Sequence, residues 1–525
     1  MKTNFLILLF ILCAQSNFAQ NIEDAWIFFT DKPQSGTYIA NPLSMLSQRA
    51  LDRRTRMNID VDIKDVPVDS SYLSQIANTT GITYLAKSKW LNAIHVQGTE
   101  TDITNLVNLS FVDYIEFANK NIGIVGTPTP KFARKVSKTG HKTNYSYGEG
   151  YNQIHMLNGE IMHQQNFTGA GVLVAIIDAG FQNTNTSNYF NHLFQDNKII
   201  DFYNFPDRNG NVYQRSMHGS GVLSTIAAKT NGTLVGTAPE VSVALYISED
   251  INQEMPIEET YWAEAAERAD SIGVDVINTS LGYRTFDRSD YDYTLDDLDG
   301  QTSFISRAAE IAVSRGINVV VSAGNSGDQI AWPKIGMPGD AEHVITVGAV
   351  DANRDRASFS SIGPTADGRI KPDVMAQGEG TAAYWYGSIQ HVNGTSFSAP
   401  IIAGMVACMV QAFPYKTPEQ IKQDLLQISD RFNNPDNYYG YGIPNFSLYN
   451  TTGFEEDLFI NMKIYPNPAS QIIHTDINAA YQIYSLDGKM LLNGQSKQKQ
   501  IDISSLKKGI YYLHFSNKTF KLLVE

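Results

Sequence analysis

Apolar and polar positions follow three different rhythms along the chain. From about 150 to 448, continuous apolar runs at Val172 to Ile177, Val241 to Ile247, Val274 to Asn278 and Ile317 to Ser322 are separated by helical patterns near 218–229, 256–272 and 302–315. Unbroken apolar runs are what parallel strands show when helices cover both faces of the sheet. Their alternation with helices predicts a doubly wound, mostly parallel α/β sheet, whose sites gather at strand carboxyl ends and helix amino ends. Upstream, Ala25 to Phe29, Trp90 to Gln97 and Val112 to Phe117 read as strands and Leu43 to Met57 as a helix, giving a small α+β unit over 20–126. Between Thr127 and Tyr151 the apolar periodicity stops and Pro128, Pro130, Lys131, Arg134, Lys135, Lys138 and Lys142 accumulate, the signature of an exposed, cuttable linker over 127–150. After Thr452, the Leu486-Asp487-Gly488-Lys489 turn and the alternating Ile510, Tyr512 and His514 predict a small all-β module over 453–525.

The first residues carry Lys2, an apolar run from Phe5 to Leu12, then Gln15, Ser16, Asn17 and Ala19. This is a signal-peptide pattern over 1–19, cut after Ala19, and its run is too short for a membrane anchor. Leu12 stands where a lipobox wants Gly or Ala, so Cys13 belongs to the discarded signal. Only Cys408 then remains, and an exported protein has no intramolecular disulfide available to it. At 42% hydrophobic and 18% charged residues the chain is globular, and its net charge of -14 disfavours general attraction to nucleic acid or anionic membrane.

Four places carry candidate chemistry. Asp178 ends a buried strand and precedes Ala179-Gly180, although such an Asp also serves as a turn cap. His218-Gly219-Ser220-Gly221 opens a helix, with glycines that permit close backbone approach. Gly394-Thr395-Ser396-Phe397-Ser398-Ala399-Pro400 precedes the apolar helix Ile401 to Ala412. Ser396 there is either an ordinary N-cap or a hydroxyl presented at the positive end of a helix beside free N–H groups. Val319-Val320-Val321-Ser322-Ala323-Gly324-Asn325 runs a buried strand into a glycine-bracketed amide able to donate toward a carbonyl oxygen.

Taken in order, Asp178, His218, Asn325 and Ser396 resemble the subtilisin-like serine proteases, or subtilases, over roughly 150–448. The Gly394-to-Pro400 motif is the most specific part. The resemblance implies a catalytic domain over 151–448 in which Asp178 orients the imidazole, His218 shuttles the proton, Ser396 attacks the peptide carbonyl and Asn325 donates to the oxyanion. It also implies substrate contacts at Ser280, Leu281 and Gly282, similar to a strand that pairs with extended peptides, and at Ala323 and Gly324. The order Asp, His, Ser excludes the chymotrypsin and α/β-hydrolase arrangements, and no Gly-x-Ser-x-Gly elbow surrounds Ser396. Two positions depart from the family pattern: Ala179 replaces a usual Ser or Thr, and Gly221 a usual second His.

Subtilases often carry a prodomain as folding aid and inhibitor, so 20–126 reads as one and the chain as a zymogen. The C-terminal segments Tyr465-Pro466-Asn467-Pro468-Ala469, Tyr484-Ser485-Leu486-Asp487-Gly488 and Leu506-Lys507-Lys508-Gly509-Ile510-Tyr511 resemble the type A sorting domain of the type IX secretion system. The partners implied are protein or peptide substrates and that secretion machinery, with no nucleic acid and no transmembrane anchor, for a protein secreted from or held at the cell surface of a Gram-negative bacterium. No cofactor is required by this chemistry. The loop Asp287 to Asp299 does not have the spacing of an EF-hand and reads as a solvated surface loop, with structural calcium left open. The competing function is a catalytically silent subtilase fold kept as a surface binding protein.

Overall fold

The computed structural model describes residues 21–125, 145–449, 463–475, 480–486, 489–496, 499–515 and 518–525. The signal peptide, most of the basic linker and the centre of the 486–489 turn lie outside these residues. The chain forms two compact units, 1–446 and 447–525.

At the start of the first unit, β1 (Ile22–Phe29), β2 (Ile82–Ser88), β3 (Ala93–Thr99), β4 (Val112–Phe117) and β5 (Ile124–Val125) form an antiparallel sheet in the order β2-β3-β1-β4-β5. The stretch 43–57, expected as one helix, is broken. Pro42–Ser44 forms a single 3₁₀ turn, and the α-helix begins at Gln48 because Ser47 adopts extended backbone and accepts the Ala50 N–H at 3.2 Å. The strand expected from Trp90 starts later, at Ala93, because Asn92 turns the chain with a φ of 52°.

Next come β6 (Leu173–Asp178), β7 (Ile199–Asn204), a two-residue pair β8 (Lys229–Thr230) and β9 (Leu234–Val235), then β10 (Ser242–Ile247), β11 (Val276–Thr279), β12 (Asn318–Ser322), β13 (Ile345–Val350) and β14 (Val374–Gln377). Seven of these make one parallel sheet in the order β14-β13-β12-β11-β6-β10-β7. The chain winds to one side of β6 for β7 and β10 and to the other for β11 onward, so β6 is the switch point beside which α/β sheets place their sites. A hairpin, β15 (Thr381–Trp385) and β16 (Ser388–Val392), precedes the helix Thr395–Ala412, which is buried along its entire length.

The N-terminal sheet lies against the helices Ile257–Ile272 and Phe304–Ser314 of the parallel domain. Trp26 stacks on Phe304 with centroids 5.0 Å apart and donates its indole N–H to Thr260 at 2.9 Å. Glu267 accepts from the Ser88 hydroxyl at 2.6 Å and the Trp90 N–H at 2.9 Å. Two fully buried guanidiniums, Arg53 and Arg54, converge on buried Asp270, and Arg54 also forks onto Asp65 at 2.6 and 2.8 Å. The loop 287–299, expected to be solvated, is partly interface: Tyr291 is 1% exposed and bonds Glu23 and Asp24, while Arg288 pairs with Glu23 at 2.9 Å.

In the second unit, β17 (Ile464–Tyr465), β18 (Ile472–Thr475), β19 (Ala480–Ser485), β20 (Met490–Gln495), β21 (Gln500–Asp502), β22 (Gly509–Phe515) and β23 (Lys518–Val524) form two antiparallel sheets sharing one core. On β22 the buried face is Tyr511, Leu513 and Phe515, opposite the Ile510, Tyr512, His514 set picked out by alternation.

Candidate active site

Asp178 is the last residue of β6, paired with Ile247, and is fully buried. His218 opens the helix His218–Ala227 and is half-buried. Its Nδ1 lies 2.8 Å from Asp178 Oδ1, which also accepts the Ala179 N–H at 2.7 Å. Asp178 Oδ2 has no hydrogen-bond partner among the described residues. Ala179 offers this carboxylate its N–H and carries no side-chain donor.

His218 titrates above its ordinary value. Burial pulls it down, but the charge of Asp178 and the hydrogen bond to it outweigh burial, with Glu249 adding to the effect. Glu249, two residues past β10, receives the Tyr283 hydroxyl and the Ser248 hydroxyl on one oxygen, the latter at 2.8 Å. Burial first, and then the charge of Asp178, push its carboxyl up to about 7 against those bonds. Glu249 is not legible in the sequence, because an acid in a loop after a strand carries no local signal of what it will face.

Ser396 is the second residue of its helix and 9% exposed. Helix and site are joined through Pro400. Lacking an N–H, Pro400 leaves the carbonyl four residues back without its helical donor. That carbonyl belongs to Ser396, and the Ser280 hydroxyl donates to it at 2.8 Å. In return the Ser396 hydroxyl donates to the Ser280 carbonyl at 3.3 Å. Among the described residues no hydrogen bond joins Ser396 to His218; the imidazole instead lies 5.8 Å from the ring of Phe397. Catalytic hydrogen bonds of this kind commonly tighten only with substrate bound.

Asn325 is exposed, beyond the end of β12. Its Oδ1 accepts both the Thr395 N–H at 2.9 Å and the Thr395 hydroxyl at 3.0 Å. A backbone N–H can only donate, so this contact fixes which end of the amide is oxygen and leaves Nδ2 as a free donor beside Gly394. Gly324 has a φ of 102° and Gly394 one of 146°, values that favour glycine. Ser280, Leu281 and Gly282 follow the last residue of β11 rather than lying in it, so they sit past the sheet ladder at its carboxyl edge. Ala323 is buried at the corresponding edge of β12. A cavity of about 580 Å³ opens beside His218, with Ala179, Ser280, Leu281, Glu249 and Glu254 in its walls.

Asp178 ends β6, Ser280 to Gly282 follow β11 and Ala323 to Asn325 follow β12, while hydrogen bonds join His218 to Asp178 and Ser396 to Ser280. The chain belongs to the subtilase family, whose pattern matches residues 169–442. It is a serine protease made as a zymogen: residues 24–136 match the peptidase S8 propeptide domain of Bacteroidota. Residues 463–524 match the secretion system C-terminal sorting domain, so the protein leaves through the type IX route to the cell surface or the medium. Subtilisin DY of Bacillus licheniformis is 32% identical over 298 residues, 56% of this chain and 95% of that protein. Serine protease AprX of Bacillus subtilis (strain 168) is 31% identical over 318 residues, 54% of this chain and 67% of that protein. The crystal structure of MycP1 from the ESX-1 type VII secretion system superposes with a TM-score of 0.44 at 23% identity, covering 61% of this chain and 89% of that one.

Proposed function

We propose that the protein is an endopeptidase that cuts polypeptides through a Ser396–His218–Asp178 triad and an acyl-enzyme intermediate. The observation that carries this reading is the 2.8 Å pairing of His218 Nδ1 with buried Asp178, at the sheet edge where the Ser396 helix begins. Asp178 holds the imidazole with Nδ1 protonated, leaving Nε2 as the base. Ser396 Oγ passes its proton to Nε2 and bonds the peptide carbon. Asn325 Nδ2 and the Ser396 N–H, a first-turn donor without an intrahelical acceptor, receive the oxyanion. His218 then protonates the leaving amine, and water releases the acyl half. The acyl half of an extended substrate lies along Ser280, Leu281 and Gly282, with Ala323 and Gly324 walling the pocket of the residue before the cut. The working parts are a prodomain over 20–126, a linker over 127–150, a catalytic domain over 151–448 and a sorting domain over 453–525.

A fluorophosphonate probe applied to the matured protein is expected to label Ser396, and internal cleavage of a denatured protein is expected to establish the endopeptidase character. An unlabelled, correctly folded protein would leave the surface binding protein as the function.

A further inference from the structure

Two features of the surface meet at His218. One is the cavity with Ser280 and Leu281 in its wall. The other is the turn of the β15–β16 hairpin, whose Trp385 and Tyr386 do not line that cavity. Trp385 meets His218 edge to face at 6.4 Å between centroids and Phe397 at 5.9 Å. Tyr386, at the tip, stands perpendicular to Trp385 at 6.0 Å. Gly221 is what admits the indole: a Cβ there would lie 3.0 Å from two Trp385 ring carbons and 3.2 Å from Phe397. The space beside the imidazole that a larger residue at 221 would need is therefore occupied by tryptophan. Tyr386 is 78% exposed and holds a φ of 47°, an unusual backbone for a bulky residue that buries little. Neither property serves packing.

We propose that Trp385 and Tyr386 form an aromatic platform for the substrate residue that follows the scissile bond, selecting aromatic and large apolar side chains on the leaving-group half. This inference rests on the triad reading above. In that reading the acyl half occupies the Ser280 side. The leaving amine must lie against His218 to receive its proton, so the peptide continues past the imidazole toward Trp385. An aromatic side chain arriving there meets one half-buried and one exposed ring in a perpendicular pair, a geometry that accepts a further ring edge to face or offset.

The test is partition of one acyl-enzyme between two acceptors. The full chain, allowed to mature, is given an N-acyl amino acid methyl ester, which loses methanol and leaves the leaving-group side open. An amino acid amide then competes with water. Its nitrogen bonds the acyl carbon, the C–O bond to Ser396 breaks, and His218 takes the amine proton and returns one to Ser396 Oγ. The ratio of peptide to acid reads binding on the platform independently of how much enzyme is active. Phenylalanine amide is expected to be favoured over glycine amide by about 3- to 10-fold. That preference is expected to shrink toward parity in Trp385→Ser and in Tyr386→Ser, the second lying at an exposed tip where folding is not at issue. A preference that survives both substitutions, or a wild-type enzyme that takes both amides equally, overturns the platform. Failure of the wild-type protein to consume the ester overturns the triad reading itself, and this inference with it.

Discussion

The amide of Asn325 is oriented by what its oxygen does. Because Oδ1 accepts the Thr395 N–H and hydroxyl, the nitrogen is left as a donor beside Gly394. Asn325→Ala is expected to lower kcat by about 10²–10³ with little change in KM, the magnitude known for such a donor in subtilisin itself. Asn325→Asp keeps the acceptor for Thr395 but loses the donor, so steady-state kinetics should show the same kcat loss; a change in KM alone would remove Asn325 from the oxyanion site. The pH profile tests the other half of the site. His218 acts as base only when neutral, and its value is raised, so activity is expected to fall on the acid side already above the ordinary imidazole value of about 6.5. Glu249 contributes to that rise when ionised. Glu249→Gln should therefore move the acid limb of kcat/KM to lower pH, and a limb that stays in place would show that Glu249 does not act on His218.

The helix Ile257–Ile272 faces the N-terminal sheet and carries much of the contact through Asp270, Glu267 and Thr260. Removing one member of a buried ion cluster leaves its partners charged and unpaired, at a cost of about 3–5 kcal/mol. Asp270→Asn should thus weaken inhibition of the mature enzyme by its own released prodomain by about 10²-fold or more, measured as the inhibition constant; unchanged inhibition would show that the Arg53 and Arg54 contacts do not hold the prodomain. Burial acts to raise the Asp270 carboxyl, but Arg54 and Arg53 hold it well below the ordinary range. This contribution is therefore complete above the ordinary carboxylate value of about 3.9 and is lost as pH falls through the lower, docked-state value. Elements of this kind were only partly legible in the sequence. The runs ending at Asp178, Ile247 and Ser322 read as strands because both faces of each are covered, which writes burial directly into composition. The break before Gln48 was missed because a capping serine inside a helical pattern looks like any polar residue. The loop 287–299 was misjudged because Tyr291 and Arg288 acquire their meaning from Glu23 and Asp24, more than 260 positions away. At the site, the motif residues were legible because glycine-bracketed turns fix their local geometry, whereas Trp385, Phe397 and Glu249 meet His218 only through tertiary packing.

At the scale of the whole chain, the protease and its propeptide are made on one polypeptide, and the N-terminal sheet rests on the same domain that carries Ser396. On the triad reading, release is expected to follow a cut in the basic stretch 127–150. A covalent tether gives such a stretch an effective concentration in about the millimolar range, so on that reading even a weak substrate sequence is expected to be cut. In Ser396→Ala the protein is therefore expected to fold and be exported, yet to persist with residues 20–126 still attached. The substitution deletes one hydroxyl and its 3.3 Å bond to the Ser280 carbonyl, while the Ser280 bond to the 396 carbonyl can remain and hold the start of the helix. Circular dichroism should match wild type. The sorting unit has its own core around Ile473, Ile483 and Leu513, so its handling should not depend on the change. Both proteins would be produced in a host lacking other extracellular proteases and their N-termini mapped by mass spectrometry. Maturation of the alanine variant at the wild-type site and rate would show that the N-terminal unit is cut by another enzyme, and that Ser396 does not process its own chain.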